Sequence, residues 1–198
     1  MFGRGEAAAD WIVVGLGNPG AEYAGTRHNA GADVVALLAT RRGENLKRSA
    51  RERAQATTAR FKDQRVVLAF PQTYMNESGI SVGLLCRKYK IEDAARVVIV
   101  HDELDLEVGR LQVKEGGGLA GHNGLRSVKA HLHSDAFIRV RLGVGRPPGR
   151  KQGADHVLTR PGRAEREALG VLIEEAADAI EMIVAEGVAP AMNRFNRR

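Results

Sequence analysis

The sequence predicts an α/β fold built as one domain. Two observations carry that reading. Short β-rich runs alternate with longer segments of helical periodicity. Three of those runs, "WIVV", "VVLAF" and "VVIV", are continuously apolar, as strands covered on both faces tend to be. At 198 residues and 43% hydrophobic content the chain can bury one core and is short for two.

The elements follow in order. Residues 1–10, "MFGRGEAAAD", carry charges and no apolar stretch of the signal-peptide kind, and are expected to form a frayed extension before a domain over 11–198. A strand is predicted at Trp11–Gly15 and a helix at Ala30–Arg42, where apolar periodicity begins with Val34. Strands at Gln55–Phe61 and Arg65–Phe70 precede a helix at Asn76–Lys90. Further strands are predicted at Arg96–His101, Leu111–Glu115 and Phe137–Gly145, with a helix at Asn123–His133 between the last two. The Pro/Gly/basic stretch "GRPPGRKQG" reads as a loop. A long helix follows at Arg163–Glu186, whose Leu169, Leu172, Ala176, Ile180 and Ile183 share a face that would dock on the sheet.

Composition excludes several classes. Cys86 is the only cysteine, so neither an intrachain disulfide nor a thiolate-rich metal site can form, which suits a reducing cytosol. The apolar runs fall far short of the ~20 residues that span a bilayer. The net charge of +6 and pI near 9.8 fit a polyanionic partner.

"GLGNPG", Gly15–Gly20, satisfies the G-x-G-x-x-G pattern of a dinucleotide-binding turn. In such a turn the helix starts inside the motif and an acidic residue ends the next strand about 20 residues on. Here the helix starts late and residues 33–42 look helical, so no strand carries the acid, and Arg41-Arg42 as a 2′-phosphate site would need the same missing strand. The glycines more simply shape a loop that presents Asn18.

Ligands of open α/β sheets sit beyond the carboxyl ends of the strands. Asn18, "PQTYMN" ending in Asn76, and "HDELD" with Asp102 each follow an apolar strand, while the loop "EGGGLAGHNG" brings His122 and Asn123. If the strands are parallel neighbours, these residues share one rim, to which His28 can return ten residues after Asn18. The set lacks a G-x-S-x-G elbow, a Cys–His pair and His-x-x-x-His spacing, so covalent and zinc mechanisms lose their usual parts. An imidazole base, a carboxylate to orient it and amides for carbonyls remain. The run Asp102, Glu103, Asp105, Glu107 invites a divalent-metal reading, but alternation sets Asp102 apart from the others and no second acidic cluster completes a two-metal site. Arg139 and Arg141 share a strand face, and with Lys114, Arg126, Lys129, His133, Arg146, Arg150 and Lys151 are expected to form a basic patch. Aromatic residues are only 5% of the chain, so phosphate contact fits better than base stacking.

"VGLGNPGAEYAGTRHNAG", "PQTYMNESG", "HDELDLEVG" and "GGGLAGHNGLRSV", in this order, closely resemble the bacterial-type peptidyl-tRNA hydrolases from about Trp11 to Arg194. The resemblance implies a single α/β domain with a central mixed twisted sheet flanked by helices, acting as a cytoplasmic monomer without metal or other cofactor. The implied reaction is hydrolysis of the ester between a peptide, or N-blocked aminoacyl group, and the 3′ end of tRNA. Carried over by motif, His28 is the base that activates water, Asp102 holds it, and Asn18 helps position the peptidyl carbonyl. Asn76 and Asn123 would bind the peptide and the scissile region, Tyr23 and Tyr74 line the channel, and Lys114 and Arg141 meet the tRNA. Tyr74 stands where some members carry Phe, and Leu119 and Ala120 fall at variable positions of the Gly116–Gly121 loop. The alternative within this fold is a catalytically silent RNA-binding module.

Overall fold

The computed structural model describes residues 8–147, 149 and 153–196. A seven-stranded mixed sheet organises them in the order β2-β3-β4-β1-β5-β7-β6, with β1 Trp11–Gly15, β2 Lys47–Ser49, β3 Ala54–Phe61, β4 Gln64–Pro71, β5 Val97–Glu103, β6 Leu111–Glu115 and β7 Ile138–Gly143. The four central strands β4, β1, β5 and β7 are parallel, whereas β3 pairs antiparallel with β4 and β6 with β7. Strands β1 and β5 are buried along their whole length, in keeping with the apolar runs "WIVV" and "VVIV", while β5 ends on the buried polar residues His101, Asp102 and Glu103.

Each face has its own helices. Helix α1 (Ala30–Arg41), α5 (Arg163–Glu186) and α6 (Val188–Phe195) cover one face, where Val13, Val98, Val100 and Val140 meet Val34, Leu38, Leu172 and Ile180. Helix α2 (Ser78–Tyr89) and α3 (Asn123–Leu132) cover the other, where Ile12, Val14, Val67 and Ile99 meet Val82, Leu85, Leu125 and Val128. The short helix α4, Gly153–Val157, belongs to neither layer and stands over the strand ends.

The predicted elements are present with boundaries shifted by a few residues, and three were not foreseen: β2, α4 and α6. The segment expected to be frayed lies outside the described residues over 1–7, while Ala9 N–H donates to Tyr89 O and Asp10 N–H to Arg65 O. Arg150 and Lys151 also lie outside the described residues.

The glycine pattern has a packing role. A Cβ on Gly15 would stand 2.0 Å from Gly31 O, and one on Gly31 would stand 2.2 Å from Val100 O, so the pair lets α1 press against β1 and β5. Helix α1 starts ten residues after the motif ends. Arg41 and Arg42 pair with Glu174, Asp178 and Glu181 of α5 instead of facing a ligand.

Candidate active site

The carboxyl ends of β4, β1 and β5 open into a cavity of about 490 Å³. Asn18, His28, Tyr74, Asn76, Asp102, His122 and Asn123 all line it, so the structure brings together seven of the residues named from sequence. Tyr23, Lys114 and Arg141 lie outside its lining. Val157 and Leu158 form the wall opposite the strand ends.

The loop from β6 departs from the expected geometry. Because β6 runs antiparallel, Glu115 pairs with Ile138 at the amino end of β7, whereas Asp102 pairs with Leu142 near its carboxyl end. Residues 116–121 therefore cross back over the sheet before His122 reaches the site.

The centre is an imidazole held by a buried carboxylate. His28, in a 3-10 turn at Arg27–Asn29, places Nδ1 2.8 Å from Oδ1 of Asp102. Asp102 is 2% exposed; burial alone would raise its pKa, but His28 and His122 overcome that and hold it far below the ordinary carboxylate range. A carboxylate that stays ionised can only accept, so in the neutral ring His28 Nδ1 carries the proton and Nε2 is left with its lone pair free. Oδ1 of Asp102 also stands 3.3 Å from His122 Nε2. The tautomer of His122 is set from its other side, where Nδ1 accepts from the backbone N–H groups of Gly124 and Leu125 as the N-cap of α3.

Asn18 is oriented as firmly. Its Oδ1 accepts from Met75 N–H at 2.7 Å, which leaves the Nδ2 hydrogens for the cavity. Asn29 clamps its backbone, donating Nδ2–H to Asn18 O and accepting Asn18 N–H, each at 2.9 Å. Asn76 and Asn123 are exposed, and Asn123 Oδ1 accepts from Arg126. Tyr74, 61% exposed, presents its ring at the mouth.

The acidic run does not form a cluster. Glu103 pairs with Arg141, and Asp105 with Arg146. Among the described residues the one group that could hold a metal ion is His28, Asp102 and His122, whose donor atoms lie within 4.8 Å of one another. Within this group His28 Nδ1 and His122 Nε2 are each hydrogen-bonded to Asp102 Oδ1.

The expected basic patch needs correction. Arg139 is 1% exposed, covered by the 116–118 segment, and the Arg141 side chain is largely buried against Glu103. Strand alternation places both on one face correctly, but whether a chain segment crosses that face is not written in it. His101, adjacent to Asp102, is fully buried, and burial first and the neighbouring His122 second hold it well below the ordinary imidazole value.

Among the described residues the cavity lining includes no serine, threonine, cysteine or lysine. A buried-carboxylate imidazole at the carboxyl rim of an α/β sheet, with amides beside it and no serine, threonine, cysteine or lysine in the described lining, is an arrangement in which an imidazole can serve as a general base toward water.

A family model described as peptidyl-tRNA hydrolase matches residues 12–198, and the chain belongs to that family. It is 53% identical over 182 residues to the peptidyl-tRNA hydrolase of Mycolicibacterium vanbaalenii, covering 92% of this chain and 94% of that one. It is 49% identical over 196 residues to that of Cutibacterium acnes, covering 94% and 98%. The crystal structure of the Acinetobacter baumannii peptidyl-tRNA hydrolase superposes with a TM-score of 0.89 at 37% identity over 96% of each chain.

Proposed function

We propose that this protein hydrolyses the ester joining a peptide, or an N-blocked aminoacyl group, to the 3′ end of tRNA. The observation that carries the reading is the His28–Asp102 pair, which leaves one imidazole nitrogen free beside a cavity whose described lining has no serine, threonine, cysteine or lysine.

His28 Nε2 takes a proton from water as the water oxygen bonds to the ester carbonyl carbon. Asn18 Nδ2–H donates to the oxygen that becomes negative, adding no charge while the carbonyl is neutral. As the intermediate collapses the bond to the tRNA 3′-terminal ribose oxygen breaks, and that oxygen takes the proton back from His28. Asp102 stays ionised and balances the transient imidazolium. A positioned base contributes ~10²–10⁴-fold and one oxyanion donor ~10²–10³-fold.

Asn76 and Asn123 flank the peptide and scissile region, with Tyr74 as a platform at the mouth. Tyr23 would meet substrate only beyond the cavity, and Lys114 and Arg141 would meet the tRNA outside it. All the described lining comes from one chain, which supports action as a monomer, and a tRNA substrate supports a cytoplasmic location. The expected assay result is hydrolysis of N-blocked aminoacyl-tRNA that persists in excess chelator. Chelator-sensitive cleavage would assign the His28–Asp102–His122 group to a metal, and tRNA binding without cleavage would make the chain an RNA-binding module.

A further inference from the structure

Of the buried cations that the mechanism leaves unused, Arg139 lies under the segment that delivers His122 and Asn123. From the Glu115–Ile138 level to the Asp102–Leu142 level is four residues of β7, about 13 Å at ~3.3 Å per residue. Residues 116–121 cover that distance as a strap over the sheet face bearing Arg139. Arg139 Nη1 donates to Gly118 O at 2.6 Å and Nη2 donates to Gly116 O. Gly117, at φ +86°, packs close enough that a Cβ would stand 3.4 Å from Arg139 Nη2.

The guanidinium is an expensive way to fill this space. Arg139 makes no ion pair among the described residues: Glu103 pairs with Arg141 and Asp135 with Lys129. Its Nε has no partner among the described residues. An apolar side chain of similar volume commonly equals or exceeds the stability that a buried ion gives. What it could not do is hold two carbonyls of an otherwise glycine-rich segment. Gly116 and Gly118 are half-buried and exposed, so their oxygens can turn to water if the cation is lost. The strap would then lift while the sheet beneath stayed folded.

We propose that Arg139 is a positioning residue for hydrolysis, pinning the Gly116–Gly118 strap so that His122 arrives against Asp102 and Asn123 against the cavity. This rests on the functional reading above. Its structural half is testable without substrate.

The test uses Arg139→Met and Arg139→Lys in the full chain, with amide hydrogen exchange, thermal melting and steady-state kinetics on N-blocked aminoacyl-tRNA. In Arg139→Met, exchange at residues 117–122 should rise at least tenfold with β1 and β5 unchanged, and the melting temperature should hold or rise. kcat should fall at least tenfold with binding of deacylated tRNA kept, and Arg139→Lys should fall between, since one ammonium cannot serve both carbonyls as the planar fork does. Unchanged strap exchange, kcat within twofold of the parent, or a kcat loss that only follows a lowered melting temperature overturns the proposal. Should Arg139→Met fail to fold, the same criteria apply to Arg139→Lys alone. A parent that hydrolyses nothing defeats the functional reading, while the exchange result still decides whether the strap is pinned.

Discussion

Nε2 of His122 stands 3.3 Å from Oδ1 of Asp102, the same oxygen that holds His28 at 2.8 Å. With Nδ1 of His122 occupied as an acceptor for two N–H groups of α3, the ring reaches Asp102 as a donor. A carboxylate with two donors on one oxygen has little freedom to rotate, so His122 fixes the group that holds His28.

His122→Asn separates the two roles of that ring. Asparagine is a strong N-cap residue, so α3 should keep its start and the melting temperature should stay near the parent's. The donor to Asp102 is lost, and kcat should fall about tenfold, the scale of one hydrogen bond to a charged group. His28→Ala should fall ~10²–10⁴-fold. Parallel measurement of melting and turnover checks this, and a parent-like kcat in His122→Asn would remove His122 from the site's working parts.

Stability should fall on acidification because of His101. Its folded pKa is depressed below the ordinary 6.5, so below pH 6.5 the unfolded chain binds a proton that the folded chain refuses. Stability from this group is thus present above pH 6.5 and lost as pH falls, at up to about 1.4 kcal/mol per pH unit. Asp102, depressed in the folded state, adds its own loss only below about pH 4, where the unfolded carboxyl protonates. Denaturant unfolding from pH 7.5 to 5 should show the slope in the parent and a flatter line in His101→Asn; equal slopes would place the proton uptake elsewhere.

Lys114 and Arg141 should behave differently despite their shared expectation. Lys114 makes no ion pair among the described residues, so Lys114→Ala should lower the dependence of log K on log salt by about 0.7–0.9 if it meets one phosphate. Arg141→Ala leaves Glu103 buried without its partner and should cost about 3–5 kcal/mol in folding. Glu103→Gln combined with it should recover part of that loss. A stable Arg141→Ala with a reduced salt slope would show that Arg141 serves the tRNA contact and not the fold.

The parts of the fold legible in sequence were those whose burial is written locally. β1, β4 and β5 show as apolar runs, and the polar residues at or past the ends of those runs, Asn18, Asn76 and Asp102, line one cavity because the three strands are parallel neighbours. Strand β2, "KRS", has no apolar residue, and its pairing is supplied by the hairpin with β3. Helix α6 buries only Ala191 fully, too faint a stripe to see. The bond from His122 to Asp102 and the burial of Arg139 both depend on β6 running antiparallel. Strand direction is a tertiary fact, so a reading of loops after strands could list His122 without knowing how it arrives.

The cavity wall gives the last prediction. Arg27, next to His28, donates Nε–H and Nη2–H to Glu165 at 2.5 Å each, and Nη1–H to Thr159 Oγ1 at 2.7 Å, Thr159 O at 3.1 Å and His156 O at 3.2 Å. It therefore joins the turn that carries the base to the segment that carries Val157 and Leu158. His28 keeps its own bond to Asp102, so Arg27→Met should loosen the wall more than the base. KM should rise about tenfold, the scale of one charged hydrogen bond, with kcat within about threefold of the parent. The Glu165 side chain, 24% exposed, can recover water, which limits the folding cost to about 1–3 kcal/mol. The double variant Arg27→Met, Glu165→Gln measures the coupling between the two. A fall in kcat with KM unchanged would show instead that Arg27 acts on the His28 turn, and that the wall holds its place without it.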